Sequence, residues 1–235
     1  MTSWFTSDIH LGHQSILRYC PKSRPFASVE EMNEAIIERW NKKVRQQDTV
    51  YFLGDFSFEK DPAPSFARLQ GHKRLITGNH DANRKAVMSL PWESIHDLYT
   101  VKENGLRAVL CHFPLASWHN AHHGYLHFHG HTHGSLKEQI PHRFDVGFDV
   151  FPDGPMSFEE LAAMAATQEF RPVDHHGADS FYLRPLREEV PAIYRLPRSR
   201  MPSLRRMRLA ARLIPNSTPD ASIRLCPSKA RRPQY

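Results

Sequence analysis
The amino-acid sequence predicts an α/β fold with a buried sheet, on three observations. Short apolar runs rich in β-branched and aromatic residues recur at 4–7, 49–53, 73–77, 106–110 and 124–128. Each is too short for a helix, and each is followed within two residues by Gly, Asp or His. Between the first two, Val29, Met32, Ile36, Trp40 and Val44 recur at helical spacing, which gives one face to pack on a sheet. Histidine is strongly skewed, with 14 of its 16 copies between His10 and His142. The packable segment is therefore also the one that carries chemistry.

Taken in order, Trp4-Phe5-Thr6-Ser7 reads as a strand that ends in Asp8-Ile9-His10. Strand side chains alternate, so a carboxylate and an imidazole two apart point to the same side. A loop over 11–27 carries His13, Arg18 and Arg24. Ser28 with Glu31 three residues on has the form of a capping box and opens the helix. The run 49–53 has no polar face, as expected of a strand buried on both sides, and ends in Gly54-Asp55. Pro62-Ala63-Pro64 opens a short helix through Leu69, and 73–77 is a strand ending in Gly78-Asn79-His80-Asp81. A helix is expected over 83–90, closed by Pro91, then strands over 94–101 and 106–110, the latter ending in Cys111-His112. After a loop rich in His and Trp, strand 124–128 runs into His129-Gly130-His131-Thr132-His133-Gly134. Glycines there let the backbone turn and approach a ligand closely. A strand over 143–150 and a helix capped by Ser157, with Glu160 three residues on, complete this part near 167.

The rest differs in kind. Residues 176–235 carry a net charge of +9 and 1–175 a net charge of −3, and eight prolines lie between Pro185 and Pro233. The expected organisation is one domain over 1–170 and a Pro/Arg-rich extension over 171–235, largely disordered or loosely attached. A basic amphipathic helix could form over 203–213. No apolar run approaches the roughly 18 residues of a membrane span, and the first residues lack the features of a signal peptide. Three scattered cysteines with no C-x-x-C pair exclude a disulfide framework and point to a reducing, cytoplasmic setting.

Five strand ends thus carry polar groups: Asp8-x-His10, Gly54-Asp55, Gly78-Asn79-His80-Asp81, His112 and Gly130-His131-x-His133. Any one alone is compatible with an ordinary polar turn. In α/β sheets, however, ligand sites gather beyond the carboxyl ends of strands, and five such endings in one chain are hard to obtain by chance.

The set resembles the calcineurin-like metallophosphoesterases. Asp8-Ile9-His10-Leu11-Gly12-His13, Arg24-Pro25-Phe26, Glu31-Met32-Asn33 and Val50-Tyr51-Phe52-Leu53-Gly54-Asp55-Phe56 resemble small, single-domain bacterial and phage-type members. The resemblance covers about 1–167 and says nothing of the extension. It implies a layered α-β-β-α sandwich of two mixed sheets and a phosphoester hydrolase with two divalent metal ions. Position by position, it implies Asp8, His10 and His133 on one ion, Asn79, His112 and His131 on the other, and Asp55 bridging. It further implies a hydroxide shared by the ions attacking phosphorus in line. His80 would be general acid or charge stabiliser at the leaving oxygen, with Asp81 orienting its imidazole. His13, Arg18 and Arg24 would hold the non-bridging phosphate oxygens. The donor set suits Mn first, with Fe, Zn or Ni as alternatives, and the absence of a Cys ligand argues against a structural zinc site.

The sequence also departs from parts of the family. Gly54-Asp55-Phe56 lacks the downstream Asp-Arg pair of the protein-phosphatase and dinucleotide tetraphosphatase branches. His80 stands where the lipid-precursor pyrophosphatases carry Arg, and Asp145 where small members tend to have Asn. The leading expectation is a phosphodiesterase acting on a small nucleotide-like or generic diester. A nuclease whose basic extension grips the nucleic-acid backbone is the second, and a non-catalytic partner-binding scaffold the third.

Overall fold
A computed structural model of the chain describes residues 1–171; residues 172–235, with the helix expected over 203–213, lie outside the described residues. Among the described residues, nine strands form two sheets. In the first, β1 (Ser3–Thr6), β2 (Thr49–Phe52), β3 (His72–Ile76) and β4 (Ser94–His96) are parallel, and β9 (Met156–Ser157) pairs antiparallel with β1. Their order is β4-β3-β2-β1-β9. The second has the order β5-β6-β7-β8. There β5 (Leu98–Glu103) runs antiparallel to β6 (Leu106–Cys111), which is parallel to β7 (Leu126–His129), itself parallel to β8 (Arg143–Asp145). Both sheets are mixed, as the family resemblance implied.

Period-two alternation divides the first sheet's side chains between two cores. Val50, Phe52 and Leu75 face the helices: Met32, Ile36 and Trp40 of α2 (Val29–Lys43), Phe66 of α3 (Ala63–Arg68) and Val87 of α4 (Lys85–Met88). Phe5, Tyr51, Leu53 and Ile76 face the other way and pack against Val101, Ala108, Leu110, Leu126 and Phe128 of the second sheet. Phe5 lies at its centre, 4.8 Å from Phe128 and 5.1 Å from Phe158, both edge-on. Truncating such a fully buried ring to alanine costs about 3–5 kcal/mol. Helix α5 (Phe158–Ala165) contributes Phe158, Leu161 and Ala165 to this inter-sheet core. The outer face of the second sheet is covered at Val109 by a loop bearing Trp118, Ala121 and Tyr125.

Three local expectations change. The single strand expected over 94–101 is two, β4 and β5, which belong to different sheets. The chain crosses between layers at Asp97, whose carboxylate accepts from Thr77 Oγ1. The strand expected over 143–150 stops at Asp145, where the chain turns at Gly147 and Asp145 Oδ1 accepts the Gly147 N–H (2.8 Å). At the start of α2, Ser28 Oγ caps Glu31 N (3.1 Å), but the Glu31 carboxylate accepts from Ala27 rather than Ser28. The reciprocal box does form at Ser157 and Glu160.

Pairing continues past the strands into the loops. Asp8 N donates to Gly54 O (2.9 Å), His10 N to Asp55 O (3.2 Å) and Phe148 N to Ser7 O (3.0 Å). The loops after β1, β2 and β8 are thereby tied side by side, which fixes what they carry.

Candidate metal centre
The strand-end residues meet in one place. Asp8, His10 and His133 bring ligand atoms within 4.8 Å of one another, and so do Asp8, Asp55 and His112. His112 Nε2 and His131 Nδ1 both lie 3.0 Å from Asn79 Oδ1. His80 Nε2 lies 3.9 Å from Asp55 Oδ2, with its side chain about half exposed. Asp8, His10, Asp55 and His112 are buried, whereas His131 is exposed, so the cluster opens on the His80 and His131 side.

Holding these groups together requires unusual backbone. Eight non-glycine residues among those described have positive φ, and five of them are Asp8, His10, Asp55, His131 and His133. Each such conformation costs on the order of 1–3 kcal/mol and persists only where the surroundings over-determine it. Glycine is needed where backbone passes close by. A Cβ at Gly78 would overlap the Asp55 carboxylate, and one at Gly130 the Asp8 carboxylate and Ser7 hydroxyl.

Hydrogen bonds tell what the cluster can hold. His112 Nδ1 lies 2.7 Å from Leu53 O and can only donate to it. In neutral His112 the Nε2 lone pair therefore faces Asn79 Oδ1 and, at 3.6 Å, Asp55 Oδ2, so three acceptors converge. His133 repeats the arrangement: Nδ1 donates to Asp149 Oδ2 (2.7 Å), leaving Nε2 facing Asp8 Oδ1 at 4.0 Å. Asp8 Oδ1 and both ring nitrogens of His10 are buried without a hydrogen-bond partner, and His10 Nε2 stands 3.8 Å from Asp8 Oδ1 and 3.7 Å from Asp55 Oδ2. Converging lone pairs on carboxylate, imidazole and amide need a cation. Histidines whose outer N–H is held by a carbonyl or carboxylate are arranged as metal-bound ones are. The residues fit divalent metal.

The same groups shift one another's protonation. Burial alone would raise the Asp8 carboxyl, but the neighbouring His10, His112 and His133 bring it below the usual range. Burial pushes His10 down. It also pushes His131 down, with His112 adding to the effect. His133 goes the other way: burial would lower it, but the Asp149 hydrogen bond and the Asp8 charge raise it.

Asp149 was not among the residues the sequence singled out. Its side chain is 1% exposed, and beyond His133 it accepts from Ser23 Oγ and, at 3.0 and 2.8 Å, from Arg24 Nε and Nη2. Burial opposes its ionisation, yet the His133 and Arg24 bonds hold it far below the usual carboxylate range. The signal available was the pair Asp145 and Asp149 four apart around Gly147. Asp145 Oδ2 accepts from Thr132 Oγ1 (2.7 Å) and Gly134 N (2.9 Å), which shapes the turn carrying His131 and His133.

Two expected roles are corrected. Arg24 does not hold phosphate: it is 1% exposed and donates to Asp149, to Ile9 O (3.0 Å) and to Asp8 O. A guanidinium so engaged ties His133's carboxylate to the loop of Asp8 and His10. Asp81 does not orient His80. Its carboxylate accepts three backbone N–H groups, from Asp55 (2.7 Å), Phe56 (3.0 Å) and Gly78 (2.9 Å), and so fixes the Asp55 turn. Arg18 is exposed and donates to Ser15 Oγ (3.2 Å), while His13 lies flat on Phe58 with ring centroids 4.0 Å apart. His127 is structural: Nδ1 donates to Val109 O (2.9 Å), Nε2 accepts from Leu115 N (3.0 Å), and burial lowers it to about 3.

Comparison with known proteins places the chain in a family. A protein of Methanocaldococcus jannaschii described as uncharacterised is 34% identical over 142 residues, covering 59% of this chain and 73% of that one. The gene 66 protein of Mycobacterium phage D29 is 27% identical over 182 residues, covering 64% and 89%. A crystal structure of a protein of unknown function from Aquifex aeolicus shares the fold, with a TM-score of 0.58 and 22% identity over 69% of this chain and 98% of that one. Residues 1–153 match the calcineurin-like phosphoesterase family. The chain belongs to that family, whose members are metal-dependent hydrolases of phosphoric esters.

Proposed function
We propose that the cluster is a dinuclear centre and that the enzyme is a phosphodiesterase. Asp8, His10 and His133 would hold one ion, Asn79, His112 and His131 the other, and Asp55 would serve both. The observation that carries this is the pair of locked histidines, His112 and His133, whose outer nitrogens are held by Leu53 O and Asp149 so that their inner nitrogens face Asp55 with Asn79 and Asp8. When bound, two divalent ions, manganese first, supply an activated water and neutralise phosphoryl charge.

The chain's own groups do the rest. Asp81 holds the Asp55 turn, and Asp149 with Arg24 holds His133 and the Asp8 loop. His80 is the proton donor to the leaving ester oxygen. It sits at the open side, its backbone N–H donating to Asp55 Oδ1 (3.0 Å) and its ring 5.8 Å from His10, while its half-exposed side chain lets Nε2 reach substrate. A proton at Nε2 offsets the charge that develops when the ester bond breaks.

The test compares bis-p-nitrophenyl phosphate with p-nitrophenyl phosphate on the full chain, with Mn²⁺ and with chelator, alongside metal analysis. Manganese-dependent cleavage favouring the diester, with two ions bound per chain, is expected. A preference for the monoester, or one ion at full activity, would overturn the reading. The charge of +9 on 176–235 favours a nuclease as the second reading. Cleavage of single-stranded DNA or RNA that falls steeply with salt, and exceeds that of the small diester, would put it first.

A further inference from the structure
Of the Phe, Tyr and Trp side chains among the described residues, two are exposed, Tyr19 at 70% and Phe113 at 44%. Single exposed apolar side chains are normal and need no explanation. These two, however, both stand at the rim of the metal centre, one beside each half. Phe113 follows His112 directly. Its ring lies 5.0 Å from His112 and 4.8 Å from His131, with interplanar angles of 81° and 64°. Tyr19 lies 6.3 Å from His13, whose ring is 5.3 Å from His10. That rim is already a stacking surface: His13 is parallel to Phe58 within 12°, and Phe58 lies 5.5 Å from His10 at 23°.

A ring standing edge-on to its neighbours and open to water has an uncovered face at the place where an ester arm of a bound substrate must pass. Charged or polar arms gain little from such a surface, whereas a flat ring gains both apolar contact and stacking. We propose that Phe113 and Tyr19 are stacking platforms, and that the diesters this enzyme cleaves carry a nucleobase or other aryl ring on the ester arm that stays with phosphorus when the leaving group departs. The inference rests on the phosphodiesterase reading above. It adds the chemical class of the arm and the residues that select it. Stacking of a base on an aromatic side chain corresponds to about 5- to 150-fold in kcat/KM.

The test uses two diesters with the same leaving group, thymidine 5′-(p-nitrophenyl phosphate) and methyl p-nitrophenyl phosphate, on the full chain with Mn²⁺. The wild type should prefer the nucleoside ester by about 10-fold or more in kcat/KM. That ratio should fall several-fold in Phe113→Leu, which keeps apolar bulk but loses the ring, or in Tyr19→Ala, a surface change that leaves the core intact. Phe113→Trp should retain it. A ratio near one in the wild type, with both esters cleaved, would overturn this inference and leave the phosphodiesterase reading standing. A ratio unchanged in both Phe113→Leu and Tyr19→Ala would do the same. Failure of the wild type to cleave either ester would overturn both.

Discussion
The two halves of the proposed dinuclear centre are built differently. In the half formed by Asp8, His10 and His133, the first two are buried and the third is backed by a buried ion pair. Arg24 links Asp149, and through it His133, to the carbonyls of Asp8 and Ile9. The half formed by Asn79, His112 and His131 is backed by one main-chain carbonyl, Leu53 O, behind His112, and His131 stands exposed. It offers a neutral amide where the other half offers a carboxylate. A rigid, charged site should bind its ion more tightly than a softer, less charged one, so the two metals should titrate at separate affinities. What the contrast teaches is that ligand identity sets which metals fit, while the supporting shell sets how tightly each is held.

The largest change should come from the residue common to both halves. Asp55→Ala removes the carboxylate that faces His10 and His112 alike. Turnover of bis-p-nitrophenyl phosphate should fall about 10³-fold or more, with both metal affinities weakened in calorimetric titration. Loss of one affinity alone would show that Asp55 belongs to one half and not to both. His80→Ala should lower turnover by about 10²- to 10⁴-fold while metal content stays at the wild-type level. A drop in bound metal would instead make His80 a ligand.

Asp149→Asn bears on the contrast itself. The amide can still accept from His133 Nδ1, but the charge paired with Arg24 is gone. The tighter affinity should weaken by about 10- to 100-fold and move toward the weaker one, which should not shift. Because a buried guanidinium is left unpaired, unfolding stability should also drop by about 3–5 kcal/mol, so the titration belongs at low temperature where the variant is folded. Equal weakening of both affinities would mean that the network supports the whole centre rather than one half.

Which parts were legible in the sequence follows from the range of the interactions involved. Strand ends could be read because a short continuous apolar run stopping at glycine and a polar group is a local pattern, as at Leu53-Gly54-Asp55. The split at Asp97 was not, since 94–96 and 98–103 each read as strand and only tertiary pairing decides that they join different sheets. The expected phosphate role of Arg24 came with the family resemblance and its place in the 11–27 loop. Its partner Asp149 lies 125 residues away, and no spacing rule links them. Asp81 was misread for a related reason: it adjoins His80 in sequence, yet its partners are backbone N–H groups that carry no sequence signal.

The smallest effect separates a supporting histidine from the metal-facing ones on the same strand and turn. His127 is buried and neutral, with both ring nitrogens committed to Val109 O and Leu115 N, and has a folded pKa of about 3 against 6.5 for the free side chain. Between those values the unfolded chain binds a proton that the folded chain refuses. The stability His127 contributes is therefore complete above pH 6.5 and is lost as pH falls toward 3. Gln can replace one donor and one acceptor but not the ring that packs 5.5 Å from Trp118. His127→Gln should cost about 1–3 kcal/mol at pH 7, a penalty that shrinks on acidification as the wild type loses the advantage the variant never had. Urea unfolding at pH 7, 5.5 and 4.5 reads this directly. Both metal affinities should remain at wild-type values, and a change in either would mean that the metal-free face of β7 is coupled to the centre after all.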